Sequence, residues 1–192
     1  MRKRTILGWV LFFSLVLISW VLTANGQTPR SEGRRDLSAP DLIQYTSPDQ
    51  SFEAAFRGVP EYKEAETDDA MTTVAFTPND RLLSMVSVYS LKPDVQIEAR
   101  QYLRNYESRI LKEKKRIEAD SDIEVSGVTG KEYKISSFDS YEILRLFVIG
   151  NRVFEIKWAV ANWLTMPQRT KTEFLAEAQR FMNSFKILHD PR

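Results

Sequence analysis

The chain has 192 residues, 43% hydrophobic and 28% charged, with 27 basic and 26 acidic side chains and a formal net charge of +1. This is a globular composition with room for one domain or two small ones, and its balanced charge argues against a dedicated nucleic-acid binder. With no cysteine and one histidine, His189, disulfides, thiol catalysis, iron–sulfur clusters, cysteine-bound zinc and a lipidated N-terminal cysteine are excluded, and a His-based metal cage or Ser-His-Asp triad has almost no means of forming.

Arg2, Lys3 and Arg4 precede an uncharged run from Ile6 to Leu22, and Ala24-Asn25-Gly26 follows with small residues at the −3 and −1 positions of a cleavage site. This is the layout of a secretory signal peptide over residues 1–26. The run is also at the short limit for a bilayer span, so the alternative is an uncleaved membrane anchor at residues 6–22. Both readings place the rest of the chain outside the cytoplasm, periplasmic or extracellular. Residues 27–40 carry two prolines, a glycine, three arginines and one large apolar residue, Leu37; such a stretch cannot bury enough surface to order itself and reads as a flexible tether.

Residues 41–188 read as a single domain, with 189–192 as a tail. Leu42–Thr46 is a short strand, Ser47-Pro48-Asp49-Gln50 a turn, and Ser51–Arg57 a strand with Phe52, Ala54 and Phe56 on one face. The polar stretch Glu61–Ala70 reads as a loop. Thr72–Thr77 and Leu82–Leu91 form a hairpin around Pro78-Asn79-Asp80. Pro93-Asp94 opens a helix with Asp94 as N-cap, and Ala99, Tyr102, Leu103, Tyr106 and Ile110 recur at helical spacing. The cations Lys112, Lys114, Lys115 and Arg116 complement the helix dipole rather than a nucleic acid. Ile123 and Val125 alternate with acids in a half-buried strand, Gly127 and Gly130 bracket a turn, and Lys131–Ser137 returns.

The clearest hairpin is Tyr141–Ile149 with Arg152–Val160, turning at Gly150-Asn151. A two-residue turn there makes paired residue numbers sum to 301. Phe147 then faces Phe154, Ile143 faces Trp158 and Tyr141 faces Val160 on one apolar face. Val148–Val153, Leu146–Glu155 and Leu144–Lys157 make a mixed opposite face, so at least one helix covers the hairpin. Arg145 interrupts the apolar face and requires a carboxylate or carbonyl partner, or an escape to the sheet edge. Beyond Asn162–Pro167, Thr170 and Glu173 have capping-box spacing, and Phe174, Ala178, Phe181 and Phe185 form a helical stripe.

Three segments together resemble the PsbP-like domains, in their secreted bacterial form. SPDQSFEAAFRGVP resembles the opening hairpin, RLFVIGNRVFEI the later hairpin turning at Gly-Asn-Arg, and FMNSFKIL the closing helix with its short apolar strand. The resemblance covers about Leu42–Leu188. It implies an α+β fold in which an antiparallel β-sheet is sandwiched by helices, and binding or accessory work rather than chemistry. The sequence departs from the pattern at Phe56-Arg57-Gly58, where proline commonly precedes the glycine, and in the unusually apolar loop Asn162–Pro167.

No catalytic signature survives inspection. Asp120, Asp122 and Glu124 would start a calcium loop only with glycine at 125 and an acid at 131, where Val125 and Lys131 stand. Gly127–Lys131 is too short for a phosphate loop. The expectation is therefore a non-enzymatic, cofactor-free exported domain that docks on another envelope protein, with Trp163, Leu164 and Met166 as the partner-binding cluster or, alternatively, a lid over the core. A second reading is a carrier of small apolar ligands lined by Tyr102, Tyr106, Trp158 and Phe181. A third, more remote, is a carboxylate-based hydrolase. Nucleic acid is not expected as a partner, and membrane contact is expected only through an uncleaved leader.

Overall fold

A computed structural model describes residues 42–79, 81–95 and 98–188. The proposed leader, the tether and the tail with His189 lie outside the described residues. Among the described residues no helix is long and apolar enough to cross a membrane.

A seven-stranded antiparallel sheet, in the order β3-β4-β5-β9-β8-β7-β6, forms the body of the domain. Its strands are β3 (Glu61–Glu66), β4 (Ala70–Pro78), β5 (Leu82–Leu91), β6 (Arg116–Val125), β7 (Val128–Ser136), β8 (Ser140–Ile149) and β9 (Arg152–Ala161). A three-stranded sheet combines β1 (Ile43–Thr46), β2 (Phe52–Phe56) and β10 (Lys186–Ile187), with β2 in the centre. The helices are α1 (Ala99–Lys112) and α2 (Gln168–Ser184).

The β8–β9 hairpin has the register expected from its turn: Tyr141 faces Val160, Ile143 faces Trp158 and Phe147 faces Phe154. Its apolar face joins Phe52, Ala54 and Phe56 of β2 and Ala178, Phe181 and Met182 of α2 in the main core. Its mixed face lies under α1, where Tyr102, Tyr106 and Ile110 pack on Leu144, Leu146 and Val153. The architecture thus corrects the simple helix sandwich. One face of the large sheet carries α1, and the other carries α2 together with a second small sheet, because β2 is itself apolar enough to close the core.

The opening turn is set by Ser47, whose hydroxyl accepts from the Ser51 and Phe52 amides at 2.9 and 3.1 Å. Glu61–Glu66, expected to be a loop, is the edge strand β3. It has charged and mostly exposed side chains, the usual protection of an open sheet edge, and so lacks the apolar alternation that marks a half-buried strand. The opposite edge, β6, begins at Arg116, well before Ile123, for the same reason. Asp94 is not an N-cap. Lys92–Val95 closes as a turn that buries Val95 against Ala70 and Leu91, and α1 starts later, preceded by Glu98 without a side-chain cap. The Thr170–Glu173 capping box is not formed either, since α2 begins at Gln168 after Pro167 and Glu173 pairs with Arg169. Gly130 lies within β7 rather than in a turn, where a Cβ would run into the Leu146 carbonyl and the Phe147 ring. The turn itself is Ser126-Gly127, both at positive φ.

Candidate functional site

The loop after β9 belongs to one end of the large sheet. Asn162 takes a positive φ of 59°, a conformation Asn tolerates better than most residues, and turns the chain away from the strand. The loop is tied to its neighbours by two backbone bonds, Ala161 N–H to the Arg81 carbonyl at 2.9 Å and Trp163 N–H to the Asp139 carbonyl at 3.1 Å. The β4–β5 turn, the β7–β8 turn and the β9–α2 loop therefore share this end.

Trp163 is half-buried. Its ring stacks on Tyr141 with centroids 4.7 Å apart and planes 19° apart, and the Lys171 ammonium lies 5.2 Å above it. Burial, followed by the charges of Glu118 and Glu132, raises the Tyr141 phenol above its ordinary range. Met166 is also half-buried and, like Trp163, packs against the main core. Leu164 points outward, 65% exposed. The structure brings the three residues together but divides their roles: Trp163 and Met166 form a lid over the core edge, and Leu164 is presented by it. On the β7–β8 turn, which is bonded to this loop through Asp139, stands Phe138, 92% exposed. Sequence reasoning missed Phe138 because a single aromatic within Ser-Phe-Asp-Ser belongs to no periodic pattern; its only signal was an aromatic residue in a turn.

The four residues considered for a ligand carrier do not line one pocket. Trp158 and Phe181 belong to the core beneath α2, and Tyr102 and Tyr106 to the one beneath α1, with the sheet between them.

The α1 side holds instead a buried polar network on the mixed face of the hairpin. Glu155 accepts from the Tyr106 hydroxyl at 3.2 Å and the Tyr89 hydroxyl at 3.4 Å, with the Lys157 ammonium 3.6 Å away. Lys157 also lies 3.8 Å from Glu142, which pairs with Lys115 at 3.0 Å. Burial pushes the Glu142 carboxyl up, but Lys157 and Lys115 outweigh it and hold the group below its usual range. Lys115 is raised in turn: burial opposes its charge, and Glu142 and Glu113 overcome that. Burial and then Glu155 raise the phenols of Tyr102 and Tyr106. Both carboxylates are committed to lysines, an arrangement suited to holding helix, strand and hairpin together. Among the described residues no cluster of three or more metal-ligating side chains occurs.

No protein-family model matches the sequence, and no curated protein matches it. Among solved structures, the chain is similar to the solution structure of cyanobacterial PsbP (CyanoP) from Synechocystis sp. PCC 6803, with a TM-score of 0.52 and 9% identity, over 82% of this chain and 98% of that one. At that identity the likeness establishes a PsbP-like fold and nothing further about activity.

Proposed function

We propose that the chain is an exported, non-catalytic accessory domain that works by binding, and that its working surface is the end of the large sheet where the Trp163–Met166 loop meets the β7–β8 turn. Its partner in this reading is another component of the cell envelope. The observation that carries the proposal is the pair Phe138 and Leu164. Both are large apolar side chains, Phe138 almost fully and Leu164 about two thirds exposed, on connections that are tied to each other by the Trp163–Asp139 bond. A lone exposed apolar residue needs no explanation, but two on turns bonded to each other are the feature we read as an interaction site. Trp163 and Met166 act here as the base that fixes Leu164. Export is supported by the charged, apolar and small-residue order of the first 26 residues, and accessory work by analogy with the PsbP-like fold.

The test uses the absence of native cysteine. A photo-crosslinker is placed through Leu164→Cys and, as a control, through Glu124→Cys on β6 near the other end. In the source cell position 164 should give a discrete adduct, to protein or to lipid, and position 124 none. Equal yields, or none at 164, would remove this end as the working surface.

A further inference from the structure

Among the described residues the four most exposed large apolar side chains are Phe138 at 92%, Val59 at 82%, Leu164 at 65% and Leu111 at 62%. All four lie at the same end of the seven-stranded sheet, on four different connections. Phe138 is in the β7–β8 turn and Leu164 in the β9–α2 loop. Leu111 is in the last turn of α1, just before β6, whose first residue Arg116 pairs with Ser136 beside the Phe138 turn. Val59 lies just before β3, whose first residue Glu61 pairs with Phe76 near the β4–β5 turn. The opposite end, with the Ser126-Gly127 and Gly150-Asn151 turns and the Ala70–Leu91 end of the β4–β5 pair, has only Met71, at 39%, among the exposed large apolar side chains of the described residues.

The four tips do not form one patch. They run from the β3 edge to the β6 edge, six inter-strand steps of about 4.8 Å, or roughly 29 Å. A protein interface is built round a close-packed, shape-matched core, which four separate tips do not supply; a lipid surface is fluid and accepts separate side chains wherever they protrude. Charge on this end has the matching sign. Lys112, Lys114 and Arg81 are exposed and form no ion pair among the described residues, and Lys171 sits over Trp163. Among the described residues the neighbouring acids Glu113, Glu118 and Glu173 are each paired to a cation, with Lys115, Arg116 and Arg169 respectively, and Asp139 forms no ion pair; in the sequence Asp80 adjoins Arg81. Exposed apolar tips among unpaired cations are the combination that binds anionic headgroups and the acyl boundary beneath them. The chain also enters from this side: Ile43 pairs with Phe56, and β2 runs from Phe52, near the far-end Ser126 turn through Ile187, towards Val59.

We infer that this end of the domain is a peripheral membrane-docking surface that rests on an anionic bilayer, with Phe138, Leu164, Leu111 and Val59 entering the interface and Lys112, Lys114 and Arg81 facing headgroups. The inference rests on the reading of this end as the working surface, names its occupant, and extends membrane contact beyond the leader.

The test uses the full chain, labelled with an environment-sensitive fluorophore through Phe138→Cys, Leu164→Cys, Leu111→Cys or, at the far end, Glu124→Cys. Each is added to vesicles of phosphatidylglycerol and phosphatidylethanolamine, or of phosphatidylcholine alone. The expected result is a blue shift and quenching by brominated acyl chains at 138, 164 and 111 but not at 124, with anionic vesicles only and reduced at high salt. Lys112→Glu combined with Lys114→Glu should weaken the tip-probe response about tenfold or more. Because an uncleaved leader could hold the chain on vesicles by itself, the contrast between the two ends is the readout. Unshifted tip probes, equal shifts at both ends, or shifts appearing only when envelope protein is added would overturn the inference. A crosslink from position 164 to a protein, with no tip response to lipid, would keep the working surface and reject the membrane as its occupant.

Discussion

Arg145 donates from Nη1 to the Met182 carbonyl at 2.6 Å while its Nε donates to Glu132 at 2.8 Å. One buried cation thus satisfies a carbonyl in the last turn of α2, where helix carbonyls lack partners and the dipole is negative, and locks that helix onto β7 and β8. This is the partner that a charge on the apolar face of the hairpin demanded. Replacing Arg145 with Leu keeps the apolar character of the face but frees Glu132, which is close enough to solvent to turn outward. The variant should fold and lose about 1–3 kcal/mol, less than Phe147→Ala at about 3–5 kcal/mol for the cavity it leaves. Urea melts of both variants decide the order; if Arg145→Leu is the more damaging, the bridge holds more of the fold than this account gives it.

Gly130 sits where β7 passes Phe147, and the obstacle to a side chain includes the rigid Leu146 carbonyl. Gly130→Ala should therefore destabilise by about 1–3 kcal/mol through overpacking, with the main shift in the Phe147 ring, which stacks on Phe185 with centroids 5.9 Å apart. Thermal melts that match wild type would mean that the strand yields more easily than the packing implies.

The expectations that held are those with a strong local rule behind them. Gly150-Asn151 allows one tight turn, and that fixes every pair of the β8–β9 hairpin. Phe52, Ala54 and Phe56 alternate, and they are the buried face of β2. The expectations that failed concern elements whose partners lie elsewhere. β3 and the first half of β6 are edge strands with exposed side chains, so Tyr62 and Ile117 carry too little pattern to announce them. Pro93-Asp94 has the local chemistry of a helix start, but Val95 is taken by Ala70 and Leu91 and the helix begins later. At the site, Trp163, Leu164 and Met166 were legible as an apolar loop. Their division into lid and tip, the neighbouring Phe138, and the Glu155–Lys157–Glu142 network were not, because each depends on which strands stand side by side.

Glu177 is buried in α2, with one oxygen 3.4 Å from Arg57 and the other without a hydrogen bond. Burial raises its carboxyl above the ordinary value, and Arg57 and Arg180 offset only part of that. A raised folded-state pKa means that the native state holds this proton more tightly than the unfolded chain does. Wild type therefore loses stability as pH rises from the unfolded value of about 4.5 through the folded one. Glu177→Gln should be the more stable protein at pH 7, with the difference closing as pH falls through that window and gone below it. A pH series of chemical melts checks the sign; a gap that widens on acidification contradicts it.

Glu142 has the opposite sign. Its folded-state pKa is depressed, so its contribution is complete above the unfolded value and is lost as pH falls through the folded one. Breaking the network by Lys157→Met leaves Glu155 buried beside two phenol donors and Glu142 with Lys115 alone. The expected cost is about 3–5 kcal/mol at pH 7, and circular dichroism melts at pH 7 and pH 4 should show it shrinking on acidification. An unchanged melting temperature at pH 7 would mean that the network contributes no net stability.

The lid and the tip separate by mutation. Trp163→Ala removes the Tyr141 stack and part of the core edge, and should lower stability by about 1–3 kcal/mol. Phe138→Asp and Leu164→Asp change side chains that are mainly in solvent and should melt within about 0.5 kcal/mol of wild type. Differential scanning calorimetry of the three variants tests the division; a Trp163→Ala melt indistinguishable from wild type would return Trp163 to the list of presented residues.

If the Phe138–Leu164 end of the seven-stranded sheet is the working surface, it is covered in the cell. The most direct measurement is the rate at which a membrane-impermeant maleimide labels single cysteines introduced by Phe138→Cys, Leu164→Cys and Glu124→Cys, in the isolated protein and in osmotically opened envelopes of the source cell. The account predicts that positions 138 and 164 react several-fold more slowly in the envelope while position 124 keeps its rate. Unchanged rates at 138 and 164, or equal slowing at all three positions, would contradict it.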